Sequence, residues 1–113
     1  MFLIDPTSSI PAFLQLEFQI KAAMASGRLR PHDQLPSIRE IANVVDLNPN
    51  TVAKTFRGLE TEGYVYTQRG RGIFAAEDVQ EKGMSYCQAE IERMLREVRD
   101  LAEVAAIPFD RLL

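Results

Sequence analysis

Four polar side chains follow one another at helical spacing in the stretch DLNPNTVAKTFRGLE: Asn50, Thr51, Lys54 and Arg57. Asparagine and threonine can hydrogen-bond the edges of bases, and lysine and arginine can neutralise phosphates. The N-terminus of the helix adds the positive end of the helix dipole, which favours a phosphate at the same place. This combination indicates recognition of DNA, although the solvated face of an ordinary helix also carries lysine and arginine.

A second candidate site lies in QRGRG, where Arg69 and Arg71 alternate with glycines between the β-prone runs YVYT and GIFA. A tight hairpin needs left-handed backbone, and this need alone accounts for Gly70 and Gly72. It does not account for two arginines at an exposed tip, where guanidinium groups can enter a minor groove or hold phosphates. Arg39, just off the buried face of an earlier helix, is a third arginine placed to reach a DNA backbone.

Other kinds of chemistry have little support in the sequence. There is no Ser/His/Asp set, phosphate-binding loop or metal-ligand cluster, so we expect no enzymatic activity, no metal and no cofactor. A single cysteine excludes an intramolecular disulfide, and we interpret Cys87 as a small apolar packing residue, with a redox switch as the alternative. His32, the only histidine, has no companion ligand nearby in the sequence and is expected to be an ordinary loop residue.

The charge of the chain is unevenly distributed. The 113 residues suit one domain with a small appendage, and their net charge is −3. Residues 1–76 hold eight Lys/Arg and seven Asp/Glu, which gives +1, whereas residues 77–113 hold five and nine, which gives −4. The total therefore does not argue against a nucleic-acid partner. With no apolar run of membrane-spanning length and no signal-peptide features after Met1, we expect a cytoplasmic protein without a membrane partner.

The apolar pattern predicts two helices before the polar stretch described first. One helix starts at Pro11 and ends near Gly27, and it carries two neighbouring apolar stripes. The first stripe contains Phe13, Leu16, Ile20, Ala23 and Met24, and the second contains Leu14 and Phe18. The next helix opens at Pro36, and its buried face contains Ile38, Ile41, Ala42 and Val45.

The third helix has a start that is marked twice, by Asn48 as N-cap and by Pro49 in the first helical position. Its core side contains Val52, Phe56 and Leu59. The opposite side carries the polar residues and Gly58, whose missing side chain a close neighbour would explain. Because a very short turn precedes this helix and a hairpin follows it, the order of elements is that of a winged helix-turn-helix.

From Glu77 onward the sequence becomes strongly helical and charged, and we predict one helix over residues 78–105. Its apolar residues repeat at alternating spacings of three and four, which is the a/d pattern of three heptads. We call these residues the heptad stripe: Met84, Cys87, Ile91, Met94, Val98, Leu101 and Ala105. Since one helix cannot cover its own stripe, we predict that it packs partly on the first helix and partly on a second copy. PFDRLL, after this helix, is expected to form a last short turn.

The segment LPSIREIANVVDLNPNTVAKTFRGLETEGYVYTQRGRGIF resembles the winged helix of GntR-family bacterial transcription regulators, and NPNTV in a short chain is similar to the YtrA-like subfamily. The resemblance runs from about residue 10 to residue 74. It implies a mainly α fold with a small β-hairpin wing, namely a winged helix-turn-helix domain in residues 1–76 and a helical dimerisation tail in residues 77–113. The family commonly has glycine at the positions of His32 and Asp46, and Asp tolerates the left-handed backbone that the turn needs.

The residue patterns and the resemblance together give a set of site residues. Those expected to contact DNA are Ser37, Arg39, Asn48, Asn50, Thr51, Lys54, Arg57, Arg69, Gly70 and Arg71. Those expected in the dimer interface are Met84, Cys87, Ile91, Met94, Val98 and Leu101. The function implied is a transcriptional regulator, with repression favoured, that binds an inverted-repeat operator in double-stranded DNA as a homodimer. Family members often control operons that encode transporters.

Two questions stay open from the sequence. A winged helix can also serve as a protein–protein interaction module without binding DNA, and this is the alternative function. Whether a small-molecule effector exists is unknown. The 37 residues after Ala76 are too few to enclose a separate pocket, so an effector would bind at the dimer interface.

Overall fold

The computed structural model describes residues 2–113, and its elements follow the predicted order. The elements are α1 (Ala12–Ala25), α2 (Ile38–Val45), α3 (Pro49–Thr61), β1 (Val65–Gln68), β2 (Gly72–Ala75), α4 (Val79–Val104) and a 3-10 turn (Phe109–Leu112). The fold is a winged helix-turn-helix followed by a long helix, so the predicted fold class is confirmed. In the part of the chain that the structure describes, no helix combines the length and the apolar character needed to cross a membrane.

Helix α1 forms the centre of the core. Pro11 is its N-cap and the helix begins at Ala12, so the predicted start at Pro11 was one residue early. Most of the predicted stripe is buried, namely Leu16, Ile20, Ala23 and Met24. Phe13 is an exception within this apolar stripe, because 47% of it is exposed. Lys21, in contrast, is completely buried, which the sequence pattern did not indicate.

Helix α2 begins with a capping box. The Ser37 hydroxyl accepts a hydrogen bond from the Glu40 amide, and the Glu40 carboxylate accepts one from the Ser37 amide, each over 3.1 Å. These two bonds satisfy amides that the helix itself cannot, and they start α2 two residues after the predicted Pro36. At its end, Asp46 has left-handed backbone with φ 55° and ψ 48°, so the turn has the conformation that aspartate was expected to tolerate.

Helix α3, which we call the recognition helix, follows after three residues. As predicted, Asn48 is its N-cap, its side-chain oxygen accepting from the Asn50 amide over 2.8 Å, and Pro49 is the first helical residue. The predicted core side is confirmed, because Val52, Phe56 and Leu59 are each at most 4% exposed. Burying three such side chains stabilises the packing of the recognition helix by about 1.5–3 kcal/mol each.

The wing is the hairpin β1–β2, in antiparallel register from Val65 opposite Ala75 to Gln68 opposite Gly72. The loop before α2 pairs with strand β2 of the wing, since the Leu35 amide donates to the Ile73 carbonyl over 2.9 Å. This pairing joins the wing to the beginning of the helix-turn-helix.

Helix α4 crosses α1 at close range and then extends beyond it. The crossing depends on Gly83, which is buried: a Cβ there would lie 2.5 Å from the Lys21 carbonyl oxygen. Because α4 has 26 residues and α1 has 14, the C-terminal part of α4 extends beyond the end of α1. The predicted bounds of this helix are confirmed to within one residue at each end, and the last short turn is present.

Candidate nucleic-acid interface

The recognition helix presents one polar stripe to solvent. Asn50, Lys54 and Arg57 occupy positions i, i+4 and i+7, all are exposed, and they span about 10 Å along the helix axis. They lie opposite the buried side of the same helix. Thr51 is half-buried on the flank of the stripe. The stripe therefore projects away from the core over a length that suits a few base pairs.

The amides at the start of this helix are already occupied. The Asn50 amide donates to the Asn48 side chain, the Thr51 and Val52 amides donate to the Asn48 carbonyl, and Pro49 has no amide hydrogen. The backbone amides at this helix end are therefore not available to a phosphate. The dipole still attracts an anion, but the hydrogen bonds to it must come from side chains.

Five exposed cations of the helix-turn-helix and wing lack a carboxylate partner. Within residues 2–113, no Asp or Glu oxygen lies within 4.0 Å of the charged groups of Arg39, Lys54, Arg57, Arg69 and Arg71. The acid nearest along the recognition helix, Glu60, accepts a hydrogen bond from the Thr67 hydroxyl over 2.9 Å. Fixing Glu60 against the wing leaves the neighbouring guanidinium of Arg57 available to another anion.

The tip of the wing is shaped by a residue that sequence reasoning missed. The Gln34 side chain donates to the Arg71 carbonyl over 2.9 Å. Gly72 has φ 132°, and a Cβ at Gly72 would lie 2.5 Å from the same Gln34 nitrogen. Gln34 thereby holds the backbone that carries Arg71, whereas Gly70, with φ 78°, makes the turn. A lone glutamine in a loop gives no signal of this role in the sequence.

Two of the residues predicted to contact DNA also cap helices. The oxygens of Ser37 and Asn48 cap α2 and α3, respectively. Each keeps an unused donor, because a serine hydroxyl can donate while its oxygen accepts, and the asparagine amide nitrogen is separate from its oxygen. Both side chains can therefore cap a helix and hydrogen-bond a phosphate at the same time.

The polar stripe lies between two clefts. On one side, a cleft of about 390 Å³ between α1 and α3 brings Thr51 and Lys54 together with Phe13, Glu17, Thr55 and Gly58. On the other side, Arg57 lines a smaller cleft of about 130 Å³ with residues of α2 and the wing. Gly58 is exposed, and a Cβ built on it would meet no atom of the described chain within 4 Å. The neighbour expected to explain this glycine is thus absent from its own chain.

His32 lies in a turn of the loop before α2, and it makes contacts that the sequence did not indicate. Its backbone is left-handed with φ 68°. One ring nitrogen lies 2.8 Å from the Tyr66 hydroxyl and the other contacts the Glu77 carboxylate, so the imidazole links the wing to the segment before α4. Within residues 2–113, no group of three His, Cys, Asp or Glu side chains is placed to hold a metal ion.

Most of the heptad stripe is exposed in the single chain. The exposed members are Met84 (53%), Ile91 (50%), Met94 (37%), Val98 (45%) and Leu101 (70%). Leu95 adds to this apolar surface with 43% exposure, and sequence reasoning did not single it out. Cys87 differs, since it is only 8% exposed and lies one turn after Gly83. Burial raises the pKa of its thiol. This residue therefore offers little surface to a partner chain.

The chain is similar to regulators of known family. Residues 14–75 match the family model described as bacterial regulatory proteins, gntR family. The HTH-type transcriptional repressor YtrA of Bacillus subtilis is 36% identical over 112 residues, which cover 99% of this chain and 86% of that protein.

Solved structures agree with this similarity. YtrA from Sulfolobus acidocaldarius, a GntR-family transcription factor, has a TM-score of 0.62 and 34% identity, covering 82% of this chain and 95% of that one. A structure of AraR(DBD) in complex with an operator has a TM-score of 0.61 and covers 67% of this chain and 96% of that one. Its identity is 22%, so this likeness shows the fold alone.

Proposed function

The chain belongs to the GntR family of bacterial regulatory proteins, a family of transcriptional regulators rather than enzymes, and we propose that it represses transcription by binding an inverted-repeat operator as a homodimer. Repression is supported by the similarity to a protein named as a repressor. Binding to double-stranded DNA is supported by a fold that AraR(DBD) also has in its complex with an operator. The regulator would act in the cytoplasm, where the chromosome lies.

The observation that carries this proposal is the exposed stripe of the recognition helix together with the unpaired cations around it. Asn50, at the front of the stripe, can hydrogen-bond a base edge through its amide, and Thr51 beside it can do so through its hydroxyl. Lys54 and Arg57 lie further along the helix and can reach either bases or phosphates. A protein surface that leaves five cations without carboxylates is suited to a polyanion.

The wing and the start of α2 would hold the DNA backbone. Arg69 and Arg71 extend from the hairpin tip, where they can grip phosphates or enter the minor groove that flanks a half-site. Arg39 would reach a phosphate from α2. The spare donors of Ser37 and Asn48 would add hydrogen bonds that fix the register of the protein on the duplex.

Residues 1–76 would form the DNA-binding domain, and residues 77–113 the dimerisation tail. A row of half-exposed apolar side chains on α4 is costly to leave in water and is of the kind that pairs with a copy of itself. The heptad stripe without Cys87, extended by Leu95, is therefore the proposed dimer surface. The acidic charge of the tail would also keep it away from the DNA.

Selection of bound duplexes from a random library tests the proposal. The protein should enrich a motif with twofold symmetry, because operator symmetry mirrors protein symmetry. As a matched control, the variant Asn50→Ala should enrich a less specific motif under the same conditions. If the wild-type protein retains no duplex at moderate salt, the alternative of a protein–protein interaction module is correct instead.

A further inference from the structure

A completely buried lysine lies where three elements meet. The Lys21 ammonium is 2.9 Å from a carboxylate oxygen of Glu17 and 3.5 Å from one of Glu62. It also lies over two aromatic rings, 4.4 Å from the ring centre of Tyr64 and 3.7 Å from that of Tyr86. We call Lys21 and these four neighbours the lysine cage.

The lysine cage has a strict geometric requirement. A buried charge is costly unless it is paired, so the ammonium is stabilised only while the carboxylates and ring faces surround it. Glu17 belongs to α1, Glu62 ends the recognition helix, and Tyr86 belongs to α4. Burial, with the nearby carboxylates of Glu17 and Glu90, raises the pKa of Tyr86 to about 12. A shift of α4 would take Tyr86 off the ammonium and expose this charge to an incomplete set of partners.

Two further contacts lie within one turn of Tyr86 on α4. The Lys82 side chain donates to the Glu62 carbonyl and lies 4.5 Å from the centre of the Tyr64 ring. Gly83 lets the backbone of α4 approach that of α1, since its Cβ would be 2.5 Å from the Lys21 carbonyl oxygen and 3.0 Å from the Ala25 amide nitrogen. These contacts fix the first turns of α4 against α1 at Lys21, the residue that supplies the buried ammonium.

We propose that the lysine cage and the Gly83 crossing form a clamp that fixes the angle at which α4 leaves the DNA-binding domain, and that this clamp determines which half-site spacing the dimer accepts. The proposal rests on the proposed function for its DNA consequence. If α4 pairs with its copy, the angle between α4 and the recognition helix determines where the two recognition helices lie relative to each other. Lys21 and Tyr86 are then positioning residues for DNA binding, although neither touches DNA.

A purely stabilising role for Lys21 makes a different prediction. It would lower the free energy of unfolding when Lys21 is replaced, but it would leave the preferred spacing of the folded dimer unchanged. The variants that separate the two roles are Lys21→Met, which removes the charge, and Tyr86→Leu, which removes only one neutral wall of the cage. Tyr86→Phe is the matched control, because it keeps the ring over the ammonium.

The first measurement is binding to operators whose two half-sites are separated by the selected spacing or by one base pair more or fewer. One base pair rotates a half-site by about 34°. Wild type and Tyr86→Phe should lose about tenfold in affinity at the altered spacings, whereas Lys21→Met and Tyr86→Leu should lose less than about threefold. Affinity for a single half-site should be equal in all four proteins.

The second measurement is independent of DNA. Spin labels on cysteines placed at the exposed positions Gln68 and Arg96, in a Cys87→Ala background, report the distance between wing and α4. Labelled chains are diluted with unlabelled ones so that only distances within one chain are read. The distance distribution of Lys21→Met should be at least about twice as wide as that of wild type.

The outcomes decide between the two roles. An unchanged distance distribution in both variants, or a spacing preference as sharp as that of wild type, overturns the clamp. If Lys21→Met does not fold, Tyr86→Leu decides by the same measurements. If wild type itself binds no symmetric duplex, the proposed function fails, and the width of the distance distribution still decides whether the clamp exists.

Discussion

The recognition helix and α4 are both amphipathic, but they satisfy their apolar sides in different ways. Val52, Phe56 and Leu59 of the recognition helix are buried within their own chain, which leaves a polar stripe in solvent. On α4, Ile91 and Leu101 remain 50% and 70% exposed, although they belong to an equally regular pattern. The apolar side of the recognition helix is therefore covered by its own chain, and only its polar stripe lacks a partner. On α4, in contrast, part of the apolar side itself is left uncovered.

This difference assigns a different kind of partner to each helix. The exposed stripe of the recognition helix is cationic and hydrogen-bonding, and it suits an anionic polymer with donors and acceptors on its surface. The exposed stripe of α4 is apolar and suits a surface like itself. Changes in the two helices should consequently have separable effects on DNA contact and on assembly.

The largest effect is expected from charge in the heptad stripe. Ile91→Asp or Leu101→Asp places a carboxylate in the proposed apolar interface and should give monomers, because burying an unpaired charge is costly. Operator affinity should then fall by about 100-fold or more, since the two half-sites are no longer joined. Light scattering measures the mass. Ala89→Asp, on the far and exposed face of α4, is the matched control and should stay dimeric. Intact dimers of both Ile91→Asp and Leu101→Asp would refute this interface.

An intermediate effect is expected from changes in the cationic surface. There, the contacts that hold the DNA backbone should be separable from those that recognise particular bases. Arg71→Ala should weaken binding to all duplexes and reduce the slope of log K against log salt by roughly one unit. Asn50→Ala should instead lose about 1–3 kcal/mol of discrimination at particular bases. Fluorescence anisotropy with specific and random duplexes at several salt concentrations measures both. Equal losses on the two duplexes for Asn50→Ala would show that Asn50 does not read bases.

The smallest effect is expected at Gly58. A Cβ there meets no atom of the described chain within 4 Å, and glycine is unfavourable in a helix interior. Gly58→Ala should therefore raise the free energy of unfolding by about 0.5–1 kcal/mol, as measured by chemical denaturation. If bare backbone at this position lets the duplex come close, the same variant should bind operator more weakly. A more stable variant with full affinity would mean that nothing approaches Gly58 on DNA.

Much of the fold was predictable because its signals are local. The start of the recognition helix follows from Asn48 and Pro49, and its core side follows from a spacing of four and three residues. The left-handed turn at Asp46 could also be anticipated from one residue type. Such features depend on neighbours within one or two helical turns, and these neighbours can be read directly from the sequence.

The misses share a different physical origin. Lys21 is buried because Glu62 and Tyr86, which are distant in sequence, meet around it, and no local pattern reveals such a meeting. The heptad pattern placed Cys87 with Ile91 because periodicity shows which residues share a face. It does not show whether that face is covered by the same chain or by another one. Gln34 was missed for a similar reason, since its role depends on the distant Arg71.

The most direct test of dimeric operator binding is the effect of half-site phase on operator affinity. Five base pairs inserted at the dyad of the selected operator rotate one half-site by about half of the roughly 10.5 bp helical turn. Both recognition helices can then no longer dock at once, so the affinity should fall to near that for random DNA. Ten inserted base pairs, which restore the phase, should restore part of the affinity. Equal affinity for the original and the five-base-pair operator would rule out dimeric operator binding, because a single chain would then be the unit that binds DNA.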